Sequence, residues 1–232
     1  MVETKILKAL ELTKIFPHPS KEETNIPLFA GTSFEMTSEK PNFIVGVSGS
    51  GKTTLFRIIS SLEPINAGEL LLDDIAIHRL KGKKKADYLQ RLGFMDQFPV
   101  KYLSMLLTVE QNLDYTLTLY SSLPKEERTK KIAEIASLLD FSNILQRKTV
   151  HLSGGELHRV GLACSIIYEP ILLLCDEPAA QLDVNNKNKV VETIHKLNDS
   201  FNTMIIIATH DHSIIGKNPM FKIDNRRITK CQ

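Results

Sequence analysis

The sequence predicts an α/β fold: a mostly parallel sheet covered by helices, an antiparallel sheet beside it, and a helical block inserted between strands. Three nearly continuous apolar runs carry the first part: Phe43-Ile44-Val45, Ile171-Leu172-Leu173-Leu174 and Met204-Ile205-Ile206-Ile207-Ala208. Runs this short and this apolar read as strands buried on both faces, as in parallel sheets flanked by helices. Residues 7–12, 33–36 and 69–73 are more mixed in polarity and predict the antiparallel sheet. Residues 98–152 carry the helical texture. Thr108 and Gln111 have capping-box spacing, Pro124 before Lys125-Glu126-Glu127 marks a helix start, and Ile132, Ile135, Ala136 and Leu139 recur at helical intervals through Asp140. The run Lys81-Gly82-Lys83-Lys84-Lys85 reads as a solvated loop.

Composition narrows the function classes. A length of 232 residues allows one domain, or one domain with an insertion. With 42% hydrophobic and 24% charged residues, the chain is neither disordered nor collagen-like. Its 29 basic against 27 acidic residues give a net charge of +2, too near neutral to argue for direct nucleic-acid binding. Cys164, Cys175 and Cys231 have neither metal-ligand spacing nor a disulfide framework, which suits a reducing cytosol. No apolar stretch approaches the roughly 18 residues of a membrane span, and the first residues lack a signal-peptide apolar region. The expectation is a soluble intracellular protein whose membrane work runs through a partner.

Each apolar run ends in chemistry-bearing residues, and open α/β sheets bind ligands outside the carboxyl ends of their strands, so the three tips are expected to converge. The first run leads into Gly46-Val47-Ser48-Gly49-Ser50-Gly51-Lys52-Thr53-Thr54, followed by a helical pattern of Leu55, Ile58, Ile59 and Leu62. This is the P-loop pattern in its strand–loop–helix context. Glycines let backbone N–H groups turn inward around phosphate, Lys52 places a point charge on the β- and γ-phosphates, and Thr53 offers a hydroxyl to Mg²⁺. The second run ends in Asp176-Glu177-Pro178. An aspartate there suits Mg²⁺ held through its water shell, and Glu177 suits orienting or deprotonating an attacking water. The fold class is therefore a P-loop NTPase core.

Leu152-Ser153-Gly154-Gly155-Glu156 narrows the class further. Ser153 and Glu156 have capping-box spacing at the start of a helix with an apolar stripe of Leu157, Val160, Cys164 and Ile167. With the cradle and Asp176-Glu177-Pro178, this segment resembles the signature of the ATP-binding cassette family. The motifs follow that family's order from Phe16 to His210: cradle, Gln97, signature, acidic pair, Leu182-Asp183, His210. The resemblance covers nearly the whole chain. It is strongest to the ATP subunits of the lipoprotein-release and macrolide-export group.

The resemblance implies further roles. Gly46, Ser48, Gly49, Ser50, Gly51, Lys52, Thr53 and Thr54 would bind ATP, with Phe16 under the adenine. Ser153, Gly154 and Gly155 would meet the γ-phosphate of ATP held by the opposite subunit, with Asp183 crossing that interface. Thr53, Gln97 and Asp176 would hold Mg²⁺, and Glu177, His210 and Gln97 would be catalytic. Asp96 stands where the family usually has a hydrophobic residue, and Ala180 where it often has Ser or Gly.

The implied protein is one cassette spanning residues 1–232, with 1–97 and 153–232 as nucleotide-binding core and 98–152 as helical subdomain. It would be an ATPase, working as a homodimer or heterodimer on a separate membrane permease, at the cytoplasmic face. Two other readings stay open: a soluble cassette ATPase, and a regulatory module acting without transport. In the apolar segment 98–107, Leu103, Leu106 and Leu107 are expected inside the helical block, with Phe98, Tyr102 and Met105 as anchors for a permease helix.

Overall fold

The computed structural model describes residues 4–18, 25–180 and 184–231. Strands β1 (Ile6–Phe16) and β2 (Ile26–Thr37) pair antiparallel and run well beyond the expected segments. Glu11 takes a left-handed φ of 48° and the register shifts between Ala9 and Leu12. That irregularity interrupts the two-residue alternation and hides the strand's length from the sequence. β3 (Asn42–Val45) is buried throughout and leads into α1 (Lys52–Ile59), which buries Leu55, Phe56, Ile58 and Ile59. β4 (Ala67–Leu72) stops where Asp73 turns the chain with φ 51°, and β5 (Ile75–Ala76) completes a sheet of order β2-β1-β4-β5.

The lysine run is not a loop. It opens helix α2 (Gly82–Gln90), because lysine is a good helix former and Tyr88 anchors the far end, its hydroxyl donating to the Ile59 carbonyl at 2.8 Å. After β6 (Leu92–Met95) the helical segment begins. α3 (Val109–Tyr120) opens with the Thr108–Gln111 capping box, and α4 (Lys125–Leu138) with Pro124 at its N-cap. Asp140, at φ 55°, follows the end of α4. Then come α5 (Gly154–Ile166), β7 (Leu172–Asp176), α6 (Val184–Ser200), β8 (Met204–Thr209), β9 (Met220–Asp224) and β10 (Arg227–Cys231).

The chain divides into two compact units, residues 1–89 with 204–232, and residues 90–203. In the first, β3 lies parallel between β8 and β9, and β10 pairs antiparallel with β9. Thr32 ties the antiparallel sheet to β10: its hydroxyl accepts from Ile228 N at 2.8 Å and donates to the Ile228 carbonyl at 3.2 Å. In the second unit, β6 and β7 pair in parallel beside the helices, over a core that includes Leu113, Leu117, Ile132, Ile135, Phe141 and Val160. The buried Asn112 amide is satisfied there. It donates to Thr149 Oγ1 at 2.9 Å and to the Ser104 carbonyl at 3.0 Å, and accepts from Ser104 N at 2.8 Å. Cys164 and Cys175 are core residues, and burial pushes the Cys164 thiol up to about 12. Among the described residues, no helix is long and apolar enough to cross a membrane.

Candidate active site

The first unit holds the cradle. Val45 of β3 pairs with Thr209 of β8, so Gly46 and His210 leave adjacent strand tips, as the expected convergence requires for those two. Gly51 is the N-cap of α1 at φ 106°, a conformation that needs glycine, and no side chain caps the helix. Lys52 is nearly buried. Its ammonium donates to the carbonyls of Gly46 (2.6 Å) and Val47 (3.3 Å), with no carboxylate beside it among the described residues. Ser50 Oγ is buried with no hydrogen-bond partner among the described residues. An uncompensated buried cation, an orphaned hydroxyl and an uncapped helix end make a positive, donor-rich concavity, which fits a triphosphate. Thr53 is exposed and Thr54 half-buried at the start of α1, and His210 is exposed. Phe16, at the end of β1, has the Lys14 ammonium 4.5 Å from its ring centroid.

The second unit repeats the pattern. Met95 pairs with Cys175, so Asp96-Gln97 and Asp176-Glu177 follow adjacent parallel strand ends. Gln97, Asp176 and Glu177 are all half-buried. Glu177 adopts φ 50°, a left-handed conformation that costs a non-glycine residue about 1 kcal/mol. A turn closed by Ala180 N on the Glu177 carbonyl at 3.0 Å maintains it. Asp96 has a structural reason to depart from the family pattern. It accepts from Phe98 N at 3.0 Å and binds the Lys101 ammonium through both oxygens at 2.8 and 2.9 Å, fixing the turn after Gln97. Ser153 caps α5 as expected: its hydroxyl accepts from Glu156 N, and Glu156 Oε2 accepts from Ser153 N at 2.8 Å. That capping bond, with Arg147 nearby, holds the Glu156 carboxyl below the usual range. Gly154 is exposed and Gly155 buried. Asp183 lies outside the described residues.

Two residues of segment 98–107 depart from their expected placement. Leu106 is 79% exposed rather than packed inside, whereas Leu103 is buried as expected. Tyr102 is 40% exposed, but its hydroxyl end is buried beside Gly161 of α5, where a Cβ would come within 2.8 Å of the oxygen. Tyr102 is therefore part of the packing of its own unit as well as of its surface. A feature with no sequence signal is His158 of α5, buried beside the Pro178 backbone next to Glu177, its Nδ1 without a hydrogen-bond partner among the described residues. A single histidine inside a helix does not announce a neighbour twenty residues away.

Burial holds the His158 pKa below its ordinary 6.5. Above that pH the ring is neutral in both folded and unfolded chains. Below it the unfolded chain takes up the proton first, so stability falls with acidification until the lower folded value is passed. Melting curves at pH 7.5 and pH 5.5 should therefore show a smaller acid-induced drop for His158→Gln, which keeps an N–H donor but cannot titrate. An equal drop in both proteins would remove His158 from the account.

A strand–P-loop–helix cradle, a strand-end Asp-Glu pair and a capped Leu-Ser-Gly-Gly-Glu helix define a P-loop ATPase of the cassette type. The chain belongs to the ABC transporter family, whose model matches residues 29–180. It is 31% identical over 225 residues to the lipoprotein-releasing system ATP-binding protein LolD of Buchnera aphidicola subsp. Acyrthosiphon pisum, a match covering 96% of each chain. Among solved structures it resembles cbiO1 from Clostridium perfringens, part of the ABC transporter complex cbiONQ, with a TM-score of 0.86 at 25% identity, covering 98% of this chain and 88% of that one. It also shares the fold of the dimeric ATP-binding cassette MJ0796 in a post-hydrolysis state with ADP and Pi, with a TM-score of 0.78 at 24% identity, covering 97% and 98%. The chain is thus an ABC transporter ATP-binding subunit and an ATPase; its nucleotide is ATP, and Mg²⁺ is the usual partner in this fold.

Proposed function

We propose that this subunit dimerises around two ATP molecules and, by closing and reopening, drives a separate membrane permease at the cytoplasmic face. The whole chain acts as one cassette, with residues 98–152 as the helical lobe and residues 1–97 and 153–232 as the core. Lys52 and the Gly46–Thr54 backbone hold the phosphates, and Phe16 stacks on adenine. Thr53, Asp176 and Gln97 would hold Mg²⁺, which would supply neutralisation of phosphate charge. Glu177 takes the proton of the attacking water, and His210 steadies that water against the γ-phosphate.

The observation that carries the dimer is the signature helix. The Ser153–Glu156 box satisfies two donors, while the first turn of α5 stays open, with nothing within 4 Å of a Cβ placed on Gly154. An open helix start of this kind suits an incoming phosphate, and a two-fold pair of chains would supply it from the partner's ATP. The dimer of MJ0796 supports this arrangement.

The test mixes two disabled proteins. Ser153→Arg blocks the helix start and also removes a cap, and Lys52→Ala blocks the cradle; each alone should lose ATPase activity. A mixed dimer has one site with an intact cradle and an intact signature, so mixing should restore part of the rate. No recovery at any ratio, with mixed dimers verified by cross-linking, would count against shared sites.

The permease contact is placed at a groove of about 220 Å³ in the second unit, lined by Phe94, Tyr102, Tyr115, Leu119, Tyr120 and Tyr168. Tyr120 and Tyr168 stack with centroids 4.5 Å apart, while Tyr115 and Leu119 are 59% and 57% exposed. A helix-in-groove contact needs such aromatic anchors. Because Tyr102 is partly structural, Tyr115→Glu with Leu119→Glu is the cleaner probe. It should keep ATPase activity in solution and lose co-purification with the membrane fraction. Undiminished co-purification would place the contact elsewhere.

A further inference from the structure

The strongest charged feature outside the nucleotide site is the start of α2. Lys81, Lys83 and Lys84 are exposed and Lys85 half-buried, and none is paired with a described residue. Four lysines against one aspartate, Asp87, give residues 81–90 a net +3, whereas the whole chain carries only +2, so the remainder is net negative. The nearby Arg79 is not part of this patch, since it pairs with Glu69 at 3.0 Å.

The arrangement works against the helix that carries it. The first turn of α2 holds three lysines and no acid, at the end where the helix dipole is positive. Lys81 and Lys85, four apart, also repel each other. The charge placement therefore opposes the helix that lysine's propensity favours, and an anionic surface would relieve both repulsions at once.

We propose that the Lys81–Lys85 cluster docks on the anionic phospholipid headgroups of a bilayer. Clusters of four or more lysines attract anionic lipid, each contributing near the surface and fading within a Debye length. Nucleic acid is the poorer complement. Single-strand binding wants stacking aromatics between the cations, and the one aromatic of α2, Tyr88, is buried with its hydroxyl bonded to Ile59. None of these lysines lines the permease groove, and the contact needs no specific permease.

The test is sedimentation of the purified protein with vesicles, either pure phosphatidylcholine or containing roughly one third phosphatidylglycerol. Wild type should bind the anionic vesicles and release them between roughly 0.1 M and 1 M salt, as the Debye length falls from about 10 to about 3 Å. Replacing Lys81, Lys83, Lys84 and Lys85 with Gln keeps helix propensity. It should lower the partition by about tenfold or more with ATPase activity unchanged. A charge-matched control replaces the exposed Lys125, Lys130, Lys148 and Lys217 with Gln and should bind nearly as wild type. The proposal is overturned if wild type does not distinguish anionic from neutral vesicles, or if the cluster variant binds as wild type. It is equally overturned if the scattered control loses as much, or if the cluster variant loses binding to an RNA or DNA oligomer but not to vesicles.

Discussion

Lys52→Ala should weaken ATP binding by roughly tenfold to a hundredfold or more, the worth of one or two charge-assisted hydrogen bonds to phosphate. The ammonium is nearly buried, is held by the Gly46 and Val47 carbonyls, and has no carboxylate neighbour among the described residues. It is thus a cation already desolvated and aimed within the loop. No other described lysine or arginine belongs to the stretch from Gly46 to Ile59 before Arg57, whose side chain pairs with Glu63 at 3.8 Å. Titration of a fluorescent ATP analogue gives the measurement. Equal affinities would remove the cradle from the nucleotide site.

Glu177→Gln should separate binding from turnover. The amide keeps the size and most hydrogen bonds of the carboxylate but cannot accept a proton, so hydrolysis should fall by about 10²- to 10⁴-fold while ATP affinity stays near wild type. With hydrolysis blocked, the closed dimer should accumulate on size-exclusion chromatography in Mg²⁺ and ATP and revert when nucleotide is removed. A variant that hydrolyses ATP at the wild-type rate would show that Glu177 is not the base. The left-handed backbone of Glu177 gives the comparison a further use. Gln shares the same strain, so a change in rate reports on the carboxylate and not on the backbone.

The sequence was most legible where the physics is local. The cradle, the Thr108–Gln111 and Ser153–Glu156 boxes and the three buried apolar strands are each specified within about ten residues, and each stands where the pattern put it. It was least legible where a local signal was weak or absent. The β9–β10 hairpin turns through Asn225 and Arg226 at φ 46° and 64°. Those angles favour Asn-Gly, and arginine in the second place conceals the turn.

The order of motifs along the chain was enough to determine the family, the nucleotide and the residues to suspect, because phosphate binding and helix capping depend on neighbours in sequence. Other features were decided only by the folded chain. Asp96 holds the turn after Gln97, the Tyr102 hydroxyl lies against Gly161, His158 is buried beside the Pro178 backbone, and the lysine run becomes a helix because Tyr88 reaches Ile59. Three of these depend on partners distant in sequence, and the fourth on a turn geometry that no residue type dictates. Burial and pairing at such range follow from packing, which periodicity along the chain does not encode.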